Sequence, residues 1–133
     1  MSLIRFLAEN ARWLSAGALL TFLSSFGQTF FISIFAGEIR AEFGLSHGAW
    51  GGIYTLGTTA SALVMIWAGG LTDRFRARRL GPAAMALLAI GCLGMAALPG
   101  GWAWALVPVI FVLRFAGQGM MIHISVVAMA RWF

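Results

Sequence analysis

Nine arginines and four acidic side chains are the only charged residues of this 133-residue chain, and there is no lysine. Chemistry is therefore confined to the few places where polar groups interrupt long apolar runs. Arg114 is the first such place, well inside "WAWALVPVIFVLRFAGQGMMIHISVVAMARWF". A charge deep in lipid costs roughly 2.5–3.5 kcal/mol even on permissive scales, so it demands a partner or a wet cavity. At helical spacing Gln118, Met121 and Ser125 share its face, while His123 projects about 180° away. Arg114 reads in two ways, as a buried arginine bonded to neighbouring helices or as a substrate-contacting or coupling group. In the second role it favours an anion such as a carboxylate. His123 titrates near neutral pH when unperturbed and is a candidate proton relay; the other reading is a histidine satisfied by a helix neighbour.

A second group lies near the start of the chain. Thr21, Ser24, Ser25 and Gln28 fall within about one third of a helix circumference, with Leu19, Leu23, Phe26 and Phe30 opposite. They read either as polar glue between helices, worth about 0.6 kcal/mol per bond, or as the wall of a water-filled substrate path. The third group is "GGLTDRFRARRLG", residues 69–81, which holds Asp73, Arg74, Arg76, Arg78 and Arg79. A carboxylate at the C-terminal end of a helix is disfavoured by the helix dipole. Asp73 therefore needs compensating cations, for which Arg74, Arg78 and Arg131 are candidates. Nothing resembles a nucleophile–base constellation or a metal-ligand cluster. Cys92 is the only cysteine, and enzyme chemistry and cofactors are not expected.

The elements that must position these groups follow from composition. The chain is 61% hydrophobic and 10% charged, with a mean hydropathy of +0.91, whereas a soluble domain carries about 25% charged residues. Lipid is the expected solvent, and at about 20 residues per span the length accommodates four helices. We expect an all-α polytopic membrane protein with spans at about 13–35, 49–70, 82–98 and 102–130. Leu45–Ser46 offers an N-cap to the second span, Pro82 falls in the first turn of the third, and "PGG" at 99–101 makes a break. Residues 1–12 read as an amphipathic surface segment or a frayed tail. Gly57 and Ser61 form a small-xxx-small pair suited to close packing.

Seven arginines (Arg5, Arg12, Arg74, Arg76, Arg78, Arg79 and Arg131) fall on one side of this arrangement. Arg40 stands on the other, between Glu38 and Glu42. This asymmetry predicts that both ends of the chain are cytoplasmic. Trp13, Trp50, Trp67, Trp102, Trp104 and Trp132 lie near predicted helix ends, as an interfacial belt requires. Read by location, the net charge of +5 orients helices and gives no reason to expect nucleic acid as a partner.

The segment 69–81 resembles the cytoplasmic signature of the major facilitator superfamily, G-x-L-x-D-R-x-G-R-[RK]. Gly69, Leu71, Asp73 and Arg74 match directly, and Arg78 keeps the basic tail. Arg76 stands where the family usually has glycine, which bears on the tight turn that glycine permits. "RFAGQG" from Arg114 is similar to the R-x-x-x-G-x-G region of the fourth helix, and "ARWF" resembles the 4–5 loop of bacterial oxalate/formate- and monocarboxylate-type members. The resemblance implies a secondary transporter of the bacterial inner membrane, working by alternating access and coupled to H⁺. It also implies twelve helices built from inverted three-helix repeats, in which the first and fourth helices line the cavity.

On that pattern the expected cavity residues are Thr21, Ser24, Ser25, Gln28, Arg114 and Gln118. The expected conformational switch is Gly69, Asp73, Arg74, Arg78 and Arg131. Four spans are then an N-terminal fragment, inactive alone, whose partners are the bilayer, a small solute and the remaining helices. The competing reading is a self-contained four-helix scaffold or small dimeric exporter. The lack of a carboxylate inside any span counts against the exporter.

Overall fold

A computed structural model describes residues 2–98 and 103–132. The expected "PGG" break and Trp102, with Phe133, lie outside the described residues. Short polar signals set the first helix ends. Ser2 caps α1 (Leu3–Glu9), its Oγ accepting from the Arg5 N–H at 3.3 Å, and Arg5 donates to Glu9 one turn on at 2.7 Å. Leu3, Ile4 and Leu7 are exposed along this helix, so the beginning of the chain is helical and presents apolar surface outward.

The uncharged run over 13–35 predicts one unbroken helix, and the structure interrupts it. Helix α2 (Ala11–Leu23) passes into a 3₁₀ turn at Ser24–Gly27, then an extended Gln28, then α3 (Thr29–Ile34). Local side chains compete with the backbone here: the Ser24 hydroxyl donates to the Thr21 carbonyl at 2.5 Å, and Gln28 Nε2 donates to Ser24 Oγ at 3.0 Å. Such bonds favour departures from regular winding.

The segment between the first and second spans is itself helical as far as Phe43. Helix α4 (Ala36–Phe43) carries Glu38 in its first turn, where the dipole favours an acid. Gly44 closes it in the left-handed conformation (φ 65°), which glycine adopts without steric cost. Ser46 then caps α5 (His47–Ala68), accepting from the Ala49 N–H at 3.1 Å.

A single turn, α6 (Leu71–Arg74), prolongs the second span. Phe75 and Arg76 are extended, with Arg76 at φ −73° and ψ 147°, before α7 (Ala77–Ala97) begins. Any residue adopts that backbone, so the connection does not need the glycine that Arg76 replaces. Because α7 starts at Ala77, Pro82 sits in its second turn rather than its first. There it withholds the N–H that would bond the Arg78 carbonyl. Strong helix formers at 77–80 carry the helix across this gap.

The fourth span opens with a 3₁₀ turn at Ala103–Ala105 and runs through α8 (Leu106–Leu113), a π-helical stretch over Arg114–Met121, and α9 (Ile122–Trp132). Four runs are thus long and apolar enough to cross a bilayer: Ala11–Ile34, His47–Arg74, Ala77–Ala97 and Ala103–Trp132. The described residues are mostly helical and contain no strand. The fourth run packs against each of the other three, while α5 and α7 scarcely touch one another. Its most apolar window is 44% buried, against 11% for the second. The fourth helix is therefore the hub. Between lipid-solvated helices, close approach of small residues favours association. Gly27, Gly57 and Gly91, one from each outer span, each meet the fourth run where a side chain would collide.

Candidate functional site

The hub carries the buried charge. Arg114 is 8% exposed and begins the π-helical stretch. Its Nη1 donates to the Gly27 carbonyl at 3.2 Å, and its guanidinium carbon lies 5.7 Å from the centre of the Tyr54 ring, within cation–π range. Gly27 can reach this position because it meets Gly117 backbone to backbone: a Cβ on Gly117 would stand 2.6 Å from the Gly27 Cα. The 3₁₀ turn and extended Gln28 that interrupt the first span thus place a carbonyl against the arginine. Arg114 Nε is buried and has no hydrogen-bond partner among the described residues.

The Arg114 side chain also contributes to the wall of a small cleft. Thr58, Ser61, Ala62 and Met65 of α5 line it with Arg114, Gln118 and Gly119, around a volume of about 220 Å³. Thr58 Oγ1 is also buried without a partner among the described residues, whereas Ser61 donates to the Thr58 carbonyl at 2.7 Å. A guanidinium and a hydroxyl with unused capacity are suited to an acceptor-rich ligand.

The other expected cavity residues lie elsewhere. Thr21 shares a 2.9 Å hydrogen bond with Ser125, whose hydroxyl donates to the Gly17 carbonyl at 3.0 Å. This polar seam joins α2 to α9. Ser24 is fully buried and bonded to Gln28, and Ser25 is half-buried. Gln28 does not line the Arg114 cleft; the link between the first span and Arg114 is the Gly27 carbonyl.

His123 lies 3.1 Å from the Gly69 carbonyl and 3.3 Å from Thr72 Oγ1, while Thr72 donates to the same carbonyl at 2.9 Å. The expectation that His123 projects away from Arg114 is not met, because both lean on the second span. Its premise was regular winding, and the i→i+5 bonds of a π-helix turn the chain less per residue.

At the end of α9, Arg131 donates to the Thr72 carbonyl at 2.7 Å and to Asp73 at 2.9 Å. Of the three candidate cations it is the one that reaches Asp73; Arg74 and Arg78 form no ion pair among the described residues. Gly69, Thr72, Asp73, His123 and Arg131 thus form one assembly that ties the end of the second span to the fourth.

Sequence reasoning missed Tyr54, Thr58 and the Gly27 carbonyl. A signal for the first two was present, since Tyr54, Thr58 and Ser61 recur at i, i+4 and i+7 on one helix face. The carbonyl had none, because its position depends on the break in the first span. No group of three or more metal-ligating side chains occurs among the described residues.

Nothing matches significantly among curated proteins or solved structures. The family model described as Major Facilitator Superfamily matches residues 5–133. With four bilayer-length helices, three of them packed on a hub that carries a buried arginine, the chain belongs to the Major Facilitator Superfamily, whose members move small solutes across membranes.

Proposed function

We propose that these four helices form one wall of a secondary transporter for a small organic anion. The carrying observation is Arg114, a charge buried at 8% exposure with Nε unpartnered among the described residues, whose side chain lines a cleft with Thr58. In this reading Arg114 attracts a carboxylate and Gln118 and Thr58 orient it. Further helices of the twelve-helix scheme close the path. The bound anion supplies the acceptors that the cleft lacks, and alternating access releases it on the other side. Gly69, Thr72, Asp73, His123 and Arg131 act as the latch between the second and fourth helices. His123 in this scheme positions the Gly69 carbonyl. The arginine-rich side faces the cytoplasm of a bacterial cell, and transport draws on a proton gradient.

Uptake of a panel of mono- and dicarboxylates, neutral solutes and cations by cells expressing the native gene product tests the reading. Carboxylate uptake is expected, rising with an imposed inward proton gradient. Arg114→Gln is expected to lower it at least about tenfold at unchanged membrane levels, the range for leaving a buried charged bond unmade. Arg114→Lys is expected not to restore it, because an ammonium lacks the planar fork of donors. Transport of neutral or cationic solutes alone overturns the anion assignment, and full uptake by Arg114→Gln overturns the site.

A further inference from the structure

A second pocket, apart from the Arg114 cleft, opens at the arginine-rich end of the helices. Its volume is about 300 Å³, and Arg76, Arg78 and Arg131 line it together with the apolar side chains of Leu80, Ile124 and Val127. Trp13 and Trp132 close one flank, their rings 4.9 Å apart. Two of the arginines are free to bind: Arg76 and Arg78 are exposed and form no ion pair among the described residues. Arg131 spends donors on the Thr72 carbonyl and Asp73. Asp73, the one carboxylate in this segment, is held by Arg131 and is not part of the pocket wall.

We infer that this pocket binds the phosphodiester head of an anionic phospholipid. The guanidinium groups offer paired donors to phosphate oxygens. The apolar lining suits the start of an acyl chain, and tryptophan pairs prefer the depth at which headgroups lie. Each basic residue near such a surface contributes about fivefold in affinity. Free phosphate matches the arginines but makes no use of the apolar lining. Arg76 gives this chain a feature that the usual signature lacks, because its position ordinarily carries glycine. The extended backbone there holds either residue without strain, which makes the reverse substitution a clean probe.

The test is thermal melting of the native gene product in neutral detergent, titrated with phosphatidylglycerol, phosphatidylcholine or inorganic phosphate. A ligand that binds the folded state raises the melting temperature in proportion to its affinity. Phosphatidylglycerol is expected to stabilise at lower concentration than phosphatidylcholine. Arg76→Gly and Arg78→Gln should each move the phosphatidylglycerol midpoint up about fivefold, leaving the phosphatidylcholine response unchanged. Arg40→Gln, at the opposite end of the helices, is expected to leave both unchanged. Melting without lipid reports whether each variant is folded, and either arginine variant alone suffices. Equal responses to the two lipids overturn the proposal, as does a midpoint unmoved in both arginine variants. Inorganic phosphate that reproduces and competes with the lipid effect also overturns it, and assigns the pocket to the free anion.

Discussion

Gly27 and Gly117 meet backbone to backbone, and their contact fixes how near the Gly27 carbonyl comes to Arg114. A Cβ at Gly27 would run into the Leu113 carbonyl oxygen and stand 2.7 Å from the Gly117 Cα, and neither backbone can swing aside as a side chain could. Gly27→Ala is therefore expected to destabilise by about 1–3 kcal/mol, read as a lowered melting temperature in detergent. Gly37→Ala meets nothing within 4 Å and should be neutral or stabilising by up to about 1 kcal/mol. Equal melting of the two variants would remove the argument. At His123 the conservative change separates packing from hydrogen bonding. His123→Gln keeps a donor for the Gly69 carbonyl, whereas His123→Leu is expected to cost about 0.5–1.5 kcal/mol. The need to satisfy Arg114 was legible in the sequence because a charge in lipid is costly anywhere. Its partner was not, since a backbone carbonyl carries no mark in a string of side chains.

Between elements, the bonds joining the second and fourth spans differ in kind from those joining the first and fourth. The α2–α9 seam rests on Thr21, Ser125 and the Gly17 carbonyl. A double-mutant cycle with Thr21→Val and Ser125→Ala should give a coupling of about 0.6 kcal/mol, typical of hydrogen bonds between helices in lipid. The α6–α9 contact adds to the bonds on Thr72 an exposed ion pair, with Asp73 and Arg131 side chains 77% and 50% accessible, and such pairs contribute little to stability. Asp73→Asn is accordingly expected to leave insertion and melting nearly unchanged while slowing transport, and unaltered uptake would exclude the latch. The four long runs were legible because lipid imposes a length and forbids charge. The winding inside them was not. A wheel of regular 100° steps separates Arg114 from His123, whereas the π-helical stretch brings both onto the second span.

Across the whole chain, the distribution of nine arginines sets the expected orientation more firmly than any single contact. In a Cys92→Ser background, a cysteine at Gly44 should react with an impermeant maleimide added to intact cells. A cysteine at Arg79 should react only after permeabilisation; the reverse pattern would invert the topology. Charge asymmetry is a global property and could be read from sequence. The role of the fourth helix as hub could not, because it depends on which faces three other helices turn inward. The widened turns of Arg114–Met121 also hold one residue more than regular winding would need over the same rotation. Were the same residues to rewind regularly, everything beyond them would swing by about 100°. His123 would leave the Gly69 carbonyl and Arg131 would leave Asp73 together. Deleting one residue there removes the excess and the added rotation at once, so the far end of the hub should keep its register with the second helix.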